Sequence, residues 1–173
     1  NLSTEEFKEV LNRTFPEATL FGYTNGRSNG SVLVVHPTLA PFARPLTCQG
    51  LGTIGNVQEC IAAITINIPK EPAFHVFSVY ISGHDAGARD QVASAITPWF
   101  ATPALFLGDM NHVQSPVLDS LNQGALADWP WLRTQLSISD RNHPTLIDFF
   151  RIIKPQDTTL TRPQLARNGV SKG

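Results

Sequence analysis

The spacing of apolar residues changes along the first 36 positions, from a helical period to an alternating one. Four apolar residues fall on one face of a helix, at i, i+3, i+4 and i+8: Phe7, Val10, Leu11 and Phe15. Ser3 and Glu6 stand ahead of them in capping-box spacing, and Pro16 cannot continue a helix. The pattern therefore predicts an amphipathic helix over residues 4–15. Two β-rich runs then flank the turn-forming sequence TNGRSNG and predict an antiparallel hairpin within residues 19–36.

Two longer β-rich runs and a helical segment occupy the middle of the chain. The runs VQECIAAITINI at 57–68 and FHVFSVYI at 74–81 are predicted to pair as central strands, with the prolines of PKEP in their connection. Apolar residues then recur at helical spacing over residues 86–101, and the short apolar run ALFLG follows. This succession of strand, helix and strand predicts a crossover between neighbouring strands of one sheet.

The remaining segments carry weaker patterns. Prolines and glycines punctuate residues 37–55, which are expected to be mostly loop with a short strand near 43–48. Ser115 precedes a proline, as an N-cap residue does, and residues 125–136 predict another helix that a proline interrupts. The run TLIDFFRII at 145–153 predicts a short buried element.

Composition fits this order of elements. Of the 173 residues, 42% are hydrophobic and 16% are charged, and no apolar run approaches the roughly 18 residues that span a bilayer. We therefore expect no membrane association. Paired strands with helices between and after them predict one α+β domain over residues 1–173, in which helices pack on the faces of sheets.

Charge is distributed unevenly along the chain. The net charge is −1, but residues 151–173 carry five basic residues and one acidic residue. Residues 156–173 are expected to form a basic tail, which is either a solvated segment or a contact for phosphates. Cys48 and Cys60 form no disulfide framework and match no zinc spacing, which favours reduced thiols and an intracellular protein.

Candidate chemistry lies where the run ALFLGDMNHV ends. Asp109 and Asn111 are two positions apart, so they share a face of an extended segment. A carboxylate that orients water and an amide that donates to a phosphate oxygen suit phosphodiester hydrolysis with a hard divalent cation. The same sequence also suits a simple Asx turn at a strand end. Tyr80 ends the preceding strand, where its hydroxyl would reach the same sheet edge or its ring would simply pack.

The order of these motifs resembles the endonuclease/exonuclease/phosphatase superfamily, which includes DNase-like nucleases and apurinic endonucleases. NGRSNGSVLVVHP is similar to the family's Gly-rich turn and strand, VFSVYIS to its N-V-Y-A-P strand, and LFLGDMN to its G-D-F-N motif. DFFRIIKPQDTTLTR at 148–162 further resembles a stretch of LINE-type non-LTR retrotransposon endonucleases, with Arg151, Pro155 and Thr161 matching and Lys154 replacing a histidine.

The resemblance implies a fold, a site and a reaction. The fold would be the DNase-like two-sheet α/β sandwich. The catalytic residues would be Tyr80 at the phosphate, Asp109 orienting the attacking water and Asn111 donating to the phosphate or transition state. The cofactor would be Mg²⁺, with Mn²⁺ as a substitute, and the substrate DNA. The resemblance also implies fusion to or association with a reverse transcriptase, and a nuclear location if the domain acts on genomic DNA.

Departures from the family pattern qualify these expectations. The family's first strands carry an Asn and a metal-binding Glu, and its last segments carry an Asp and a His, and none of these four groups has a counterpart here. The resemblance therefore implies a domain that is incomplete at both termini, in which hydrolysis is weakened or lost. It also implies exposed sheet edges, which would pair with a second copy of the chain. Two alternatives stay open: a non-catalytic scaffold that binds nucleic acid or protein, and a phosphoesterase acting on a small substrate. Asp85 and Asp148 are candidate replacement ligands for a metal.

Overall fold

The computed structural model describes residues 3–24, 30–47, 60–81, 85–110, 153, 164–165 and 171–172. The chain divides into two compact units, residues 1–111 and 112–173. The elements of the first unit are α1 (Thr4–Thr14), β1 (Thr19–Thr24), β2 (Gly30–Val35), β3 (Ala43–Pro45), β4 (Ile61–Ile66), β5 (Phe74–Tyr80), α2 (Ala86–Ile96) and β6 (Ala104–Asp109), with 3-10 turns at Ala40–Phe42 and Thr97–Ala101. In the second unit, β7 (Gln164–Leu165) and β8 (Ser171–Lys172) form an antiparallel pair. Whether residues 1–173 fold as one domain stays a prediction.

The α+β class predicted from the sequence is confirmed. Strands β1 and β2 form an antiparallel hairpin, and β3 to β6 form a four-stranded sheet in the order β3-β4-β5-β6. In that sheet β4 pairs antiparallel with β5, while β6 pairs parallel with β5 after the α2 crossover. The predicted hairpin, central pair and crossover are all present. The predicted elements at 115–136 lie outside the described residues.

The buried element predicted at 145–153 lies outside the described residues except at its last position. Within the run at 145–153, which was expected to be buried, the structure describes Ile153, and this residue is helical and 60% exposed. An apolar run alone identifies side chains that gain from burial, but it does not identify the surface that would cover them.

Helix α1 begins at a complete capping box. The Ser3 hydroxyl accepts a hydrogen bond from the Glu6 backbone N–H at 3.3 Å, and the Ser3 backbone N–H donates to the Glu6 carboxylate at 2.7 Å. Two N–H groups that have no partner within the helix are thereby satisfied. On the apolar side of the helix Leu11 is buried, whereas Val10 and Phe15 are about half exposed or more. The helix is therefore held to the sheets along a narrow stripe.

The capping box makes the start of α1 sensitive to acid. Hydrogen bonds from the Ser3 backbone N–H, and then from its hydroxyl, lower the pKa of Glu6 below its usual value of 4.5. A carboxyl whose pKa is lower in the folded state stabilises that state above the unfolded pKa, and this contribution is lost as the pH falls through the folded value. We expect the Ser3 amide resonance to shift below about pH 4.5, as followed by NMR titration. The Glu6→Gln variant, which keeps the acceptor but does not ionise, should show no such transition.

The β1–β2 hairpin packs on one face of the four-stranded sheet. Their shared core contains Val35 from β2, Ile64 from β4 and Val76 from β5, with Phe21 and Leu33 packed at its margin. The Ser31 hydroxyl adds a buried hydrogen bond to the Cys60 carbonyl oxygen at 3.0 Å. Two sheets are therefore layered on each other around an apolar interior.

Aromatic side chains cover the opposite face of the same sheet. Successive residues of a strand point to opposite faces, so Phe77 lies on the other side from Val76. The Phe77 ring is fully buried, stacks on Phe106 of β6 with 4.7 Å between ring centroids, and lies 5.8 Å from Trp99. Phe100 meets Phe106 edge to face. This aromatic layer ties β5 to β6 and to the turn that follows α2.

Helix α2 connects β5 to β6 and is shorter than its pattern predicted. Its N-cap is Asp85, whose carboxylate accepts from the Ala88 N–H at 3.0 Å. The apolar pattern predicted one helix to residue 101, but the α-helix ends at Ile96 and a 3-10 turn continues to Ala101. Pro98, within that turn, lacks the N–H that an α-helical hydrogen bond at this point would require. Across the described residues, no helix is both long and apolar enough to cross a membrane.

Candidate active site

The two predicted strand-end residues, Tyr80 and Asp109, are register partners. β5 and β6 run parallel, and their pairing continues from His75 and Ala104 to Tyr80 and Asp109. Paired backbones in a sheet are about 4.8 Å apart, so the two residues leave their strands side by side. Because both strands end there, both side chains lie at the carboxyl edge of the sheet. The predicted adjacency is confirmed, while the roles of the two residues stay predictions.

The backbone beneath this pair is fixed by buried residues of the interior strand. Val79 and Ile81, on either side of Tyr80, are each 1% exposed. The Ile81 N–H donates to the Asp109 carbonyl oxygen at 2.9 Å, which extends the ladder one residue past β5. Tyr80 is half-buried and Asp109 is exposed. The site therefore combines an anchored main chain with a carboxylate that solvent can reach.

The sheet is open next to Asp109. Leu105 and Leu107 lie on the same face of β6 and are 49% and 47% exposed, whereas their register partners Val76 and Ser78 are buried and half-buried. The hairpin packs against β4 and β5, which leaves this part of β6 accessible. Leu105 and Leu107 therefore form an exposed apolar strip on β6 next to Asp109.

Gly108 has an unusual backbone conformation immediately before Asp109. Its φ is +132°, a value that side-chain-bearing residues rarely adopt. A Cβ at this position would lie 2.0 Å from the Val79 carbonyl oxygen. In the sequence, Gly108 is part of LFLGDMN, the run that resembles the G-D-F-N motif, and a glycine inside a strand run is also a signal for a close backbone approach.

Other candidate residues are placed less completely. Asn111 lies outside the described residues, as does Asp148. Asp85 follows β5 closely in sequence, but its carboxylate caps α2 through Ala88. A capping carboxylate contributes to helix stability, so this contact explains Asp85 without a metal.

A divalent-cation site made of protein ligands alone needs several ligand side chains close together. Among the described residues, no three His, Cys, Asp or Glu side chains lie close enough to one another to hold a metal ion. Mg²⁺ is usually held by one or two carboxylates together with waters and substrate phosphates, and Asp109 is one exposed carboxylate. The described residues therefore provide one carboxylate of the type that binds Mg²⁺, but no cluster of protein ligands.

A groove lies elsewhere in the first unit, between the end of α1 and β2. Its volume is about 390 Å³, and its lining is mainly apolar: Thr14, Phe15, Pro16, Glu17, Ala18, Val34, His36 and Pro37. Neither Tyr80 nor Asp109 lines it. The His36 ring is engaged locally, because its Nδ1 accepts from the Thr38 backbone N–H at 3.3 Å.

Comparison of the sequence with known protein families finds no family that matches, and comparison with curated proteins finds no similar protein.

Proposed function

We propose that this chain carries out phosphodiester chemistry at the edge formed by Tyr80 and Asp109, as part of a DNA-nicking endonuclease domain of the LINE type. The observation that carries the proposal is the register pairing of Tyr80 with Asp109 at the carboxyl ends of two parallel strands. A hydroxyl and a carboxylate next to each other can contact one phosphate and the water that attacks it. The packing of the hairpin on the four-stranded sheet supports a DNase-like two-sheet sandwich.

Each residue has a distinct role in this proposal. The exposed Asp109 carboxylate orients the water, the Tyr80 hydroxyl donates to a non-bridging phosphate oxygen, and Asn111 donates to the phosphate beside them. The Mg²⁺ requirement rests on the resemblance alone, because the described residues gather no ligand cluster. Association with a reverse transcriptase and a nuclear location rest on the same resemblance.

Turnover by these residues is expected to be slow or absent. Removing single members of a catalytic group typically costs orders of magnitude in rate, and the described part of the chain brings together one carboxylate and one hydroxyl. DNA binding is therefore the more sensitive measurement, since a carboxylate close to a phosphate weakens binding whether or not hydrolysis follows.

The test measures the affinity of the chain for a short DNA duplex as a function of salt. We expect Asp109→Asn to tighten binding by up to about 5-fold at 0.1 M salt, because the repulsion between charges about 4 Å apart is about 1 kcal/mol in water and this distance is well within the screening length of about 10 Å. The gain should disappear at high salt, where the charges are screened. Tyr80→Phe should weaken binding by removing a donor to the phosphate.

Glu71→Gln is the matched control. Glu71 is exposed and precedes β5, so the length of that strand, about 20 Å, separates it from Asp109. Its neutralisation should leave affinity unchanged at 0.1 M salt, where screening extends about 10 Å. Equal effects of Asp109→Asn and Glu71→Gln would contradict the proposal and favour a non-catalytic scaffold that binds DNA through its overall charge.

A second assay follows the conversion of supercoiled plasmid to open circles with Mg²⁺ or Mn²⁺. Any nicking by the wild-type chain should disappear in Asp109→Ala and on chelation of the metal. Hydrolysis of a phosphomonoester without plasmid nicking would instead identify a phosphoesterase for small substrates. Nicking that persists in Asp109→Ala would show that the phosphodiester site lies elsewhere.

A further inference from the structure

The backbone of β6 comes unusually close to β5 at Gly108. An ideal Cβ built on Gly108 would meet the Val79 carbonyl oxygen at 2.0 Å and the Val79 carbonyl carbon and nitrogen at 2.9 Å. Distances below 3.0 Å do not occur for real Cβ atoms. The left-handed φ of +132° adds a second obstacle, because it disfavours all residues with side chains. Glycine is thus the residue that allows β6 to approach β5 this closely.

The strand that would yield to a larger residue is β6. β5 is an interior strand, paired on its other side with β4, and Val79 is 1% exposed. Among the strands that the structure describes, β6 is the last in the order of the sheet. A Cβ at Gly108 would therefore push the end of β6 away from β5. The residue displaced first would be Asp109, whose carbonyl oxygen is held by the Ile81 N–H at 2.9 Å.

We infer that Gly108 is a positioning residue, whose missing side chain and left-handed backbone hold Asp109 in register beside Tyr80. The function that Asp109 then serves rests on the proposed function above. Replacing Gly108 can have two consequences, a loss of stability and a displacement of Asp109. A merely structural glycine would lower stability and leave Asp109 in place in molecules that fold, whereas a positioning glycine moves Asp109 in those molecules.

The test compares Gly108→Ala with Gly87→Ala, the same change at a glycine where a Cβ would meet one atom, Asp85 Oδ1, at an ordinary 3.4 Å. Amide hydrogen exchange is measured by NMR. The temperature is chosen so that both variants are folded, as shown by NMR contacts between the Phe77 and Phe106 rings. We expect the Ile81 amide to exchange at least about 10-fold faster in Gly108→Ala, because its acceptor has moved. Gly87→Ala should leave this rate unchanged. An unchanged Ile81 rate in folded Gly108→Ala would overturn the inference.

A double-mutant cycle adds a measurement that a structural role alone would not change. With glycine at position 108, Asp109→Asn is expected to tighten duplex binding about 5-fold. With alanine at position 108, the same change should leave the affinity nearly unchanged. If Asp109→Asn has no effect in the wild-type background, the proposed function fails, and the Ile81 exchange rate still decides the role of Gly108. An equal gain in both backgrounds would overturn the positioning role.

A measurement on the wild-type chain covers the case in which Gly108→Ala does not fold. Scalar couplings of the two Gly108 Hα protons report its φ, and the coupling across the hydrogen bond reports the contact between the Ile81 N–H and the Asp109 oxygen. We expect a positive φ and a detectable coupling. An extended φ of negative sign, or the absence of that hydrogen bond, would overturn the inference.

Discussion

Phe77→Ala is expected to lower the free energy of unfolding by about 3–5 kcal/mol, the range found when a buried aromatic ring is removed. Phe77 is completely buried, and its ring stacks on Phe106 and tilts against Trp99. The variant loses the transfer free energy of the ring and leaves a cavity between the sheet and the turn after α2. Urea unfolding followed by tryptophan fluorescence measures the effect, because Trp99 borders the cavity.

Phe15→Ala makes the same chemical change at an exposed position. Phe15 follows α1 and is 61% exposed, so its removal should change the free energy of unfolding by less than about 1 kcal/mol. The comparison separates the packing of the aromatic layer from any general effect of deleting a phenyl ring. Similar losses in the two variants would mean that the layer around Phe77 does not form the core that we describe.

The sequence predicted the adjacency of Tyr80 and Asp109 because that adjacency follows from connectivity. A strand, a helix and a second strand form a crossover, and the carboxyl ends of the two parallel strands then meet at one edge. The end of α2 was predicted too late, because Trp99 and Phe100 continue the apolar period beyond Pro98, which removes a backbone donor. Periodicity describes which residues share a face, whereas the hydrogen bonds of the main chain decide where a helix ends.

Features that depend on packing between distant segments could not be predicted in the same way. The helical spacing placed Val10 and Phe15 on one side of α1, but whether that side is covered depends on the position of β1 and β2. The φ angle of Gly108 could not be predicted either, because the sequence of a strand run does not show whether a glycine in it has an extended or a left-handed backbone. A glycine inside a strand run signals a close backbone approach, but the strand that it approaches and the distance depend on tertiary packing.

Gly22→Ala is expected to destabilise the chain by on the order of 3 kcal/mol, through backbone strain and overpacking together. Gly22 lies within β1 with φ +102°, in the region that favours glycine. A Cβ would lie 2.2 Å from the Ser31 carbonyl oxygen and 2.6 Å from the Ala62 Cβ. The first contact is within the hairpin, and the second is between the hairpin and β4. Gly22 therefore allows the two sheets to pack closely, and urea unfolding measures the cost of the change.

The double variant Gly22→Ala/Ala62→Gly distinguishes the two contacts. Removing the Ala62 methyl group relieves the collision between the sheets, but the strain at φ +102° and the contact with the Ser31 oxygen remain. We expect the double variant to lose less free energy of unfolding than the sum of the two single variants, with a coupling of about 1 kcal/mol. Gly87→Ala, in the first turn of α2, is the control and should be neutral or slightly stabilising, because alanine favours a helix. Simple additivity in the double variant would mean that the hairpin does not contact β4 at Ala62, and would contradict the layering of the two sheets.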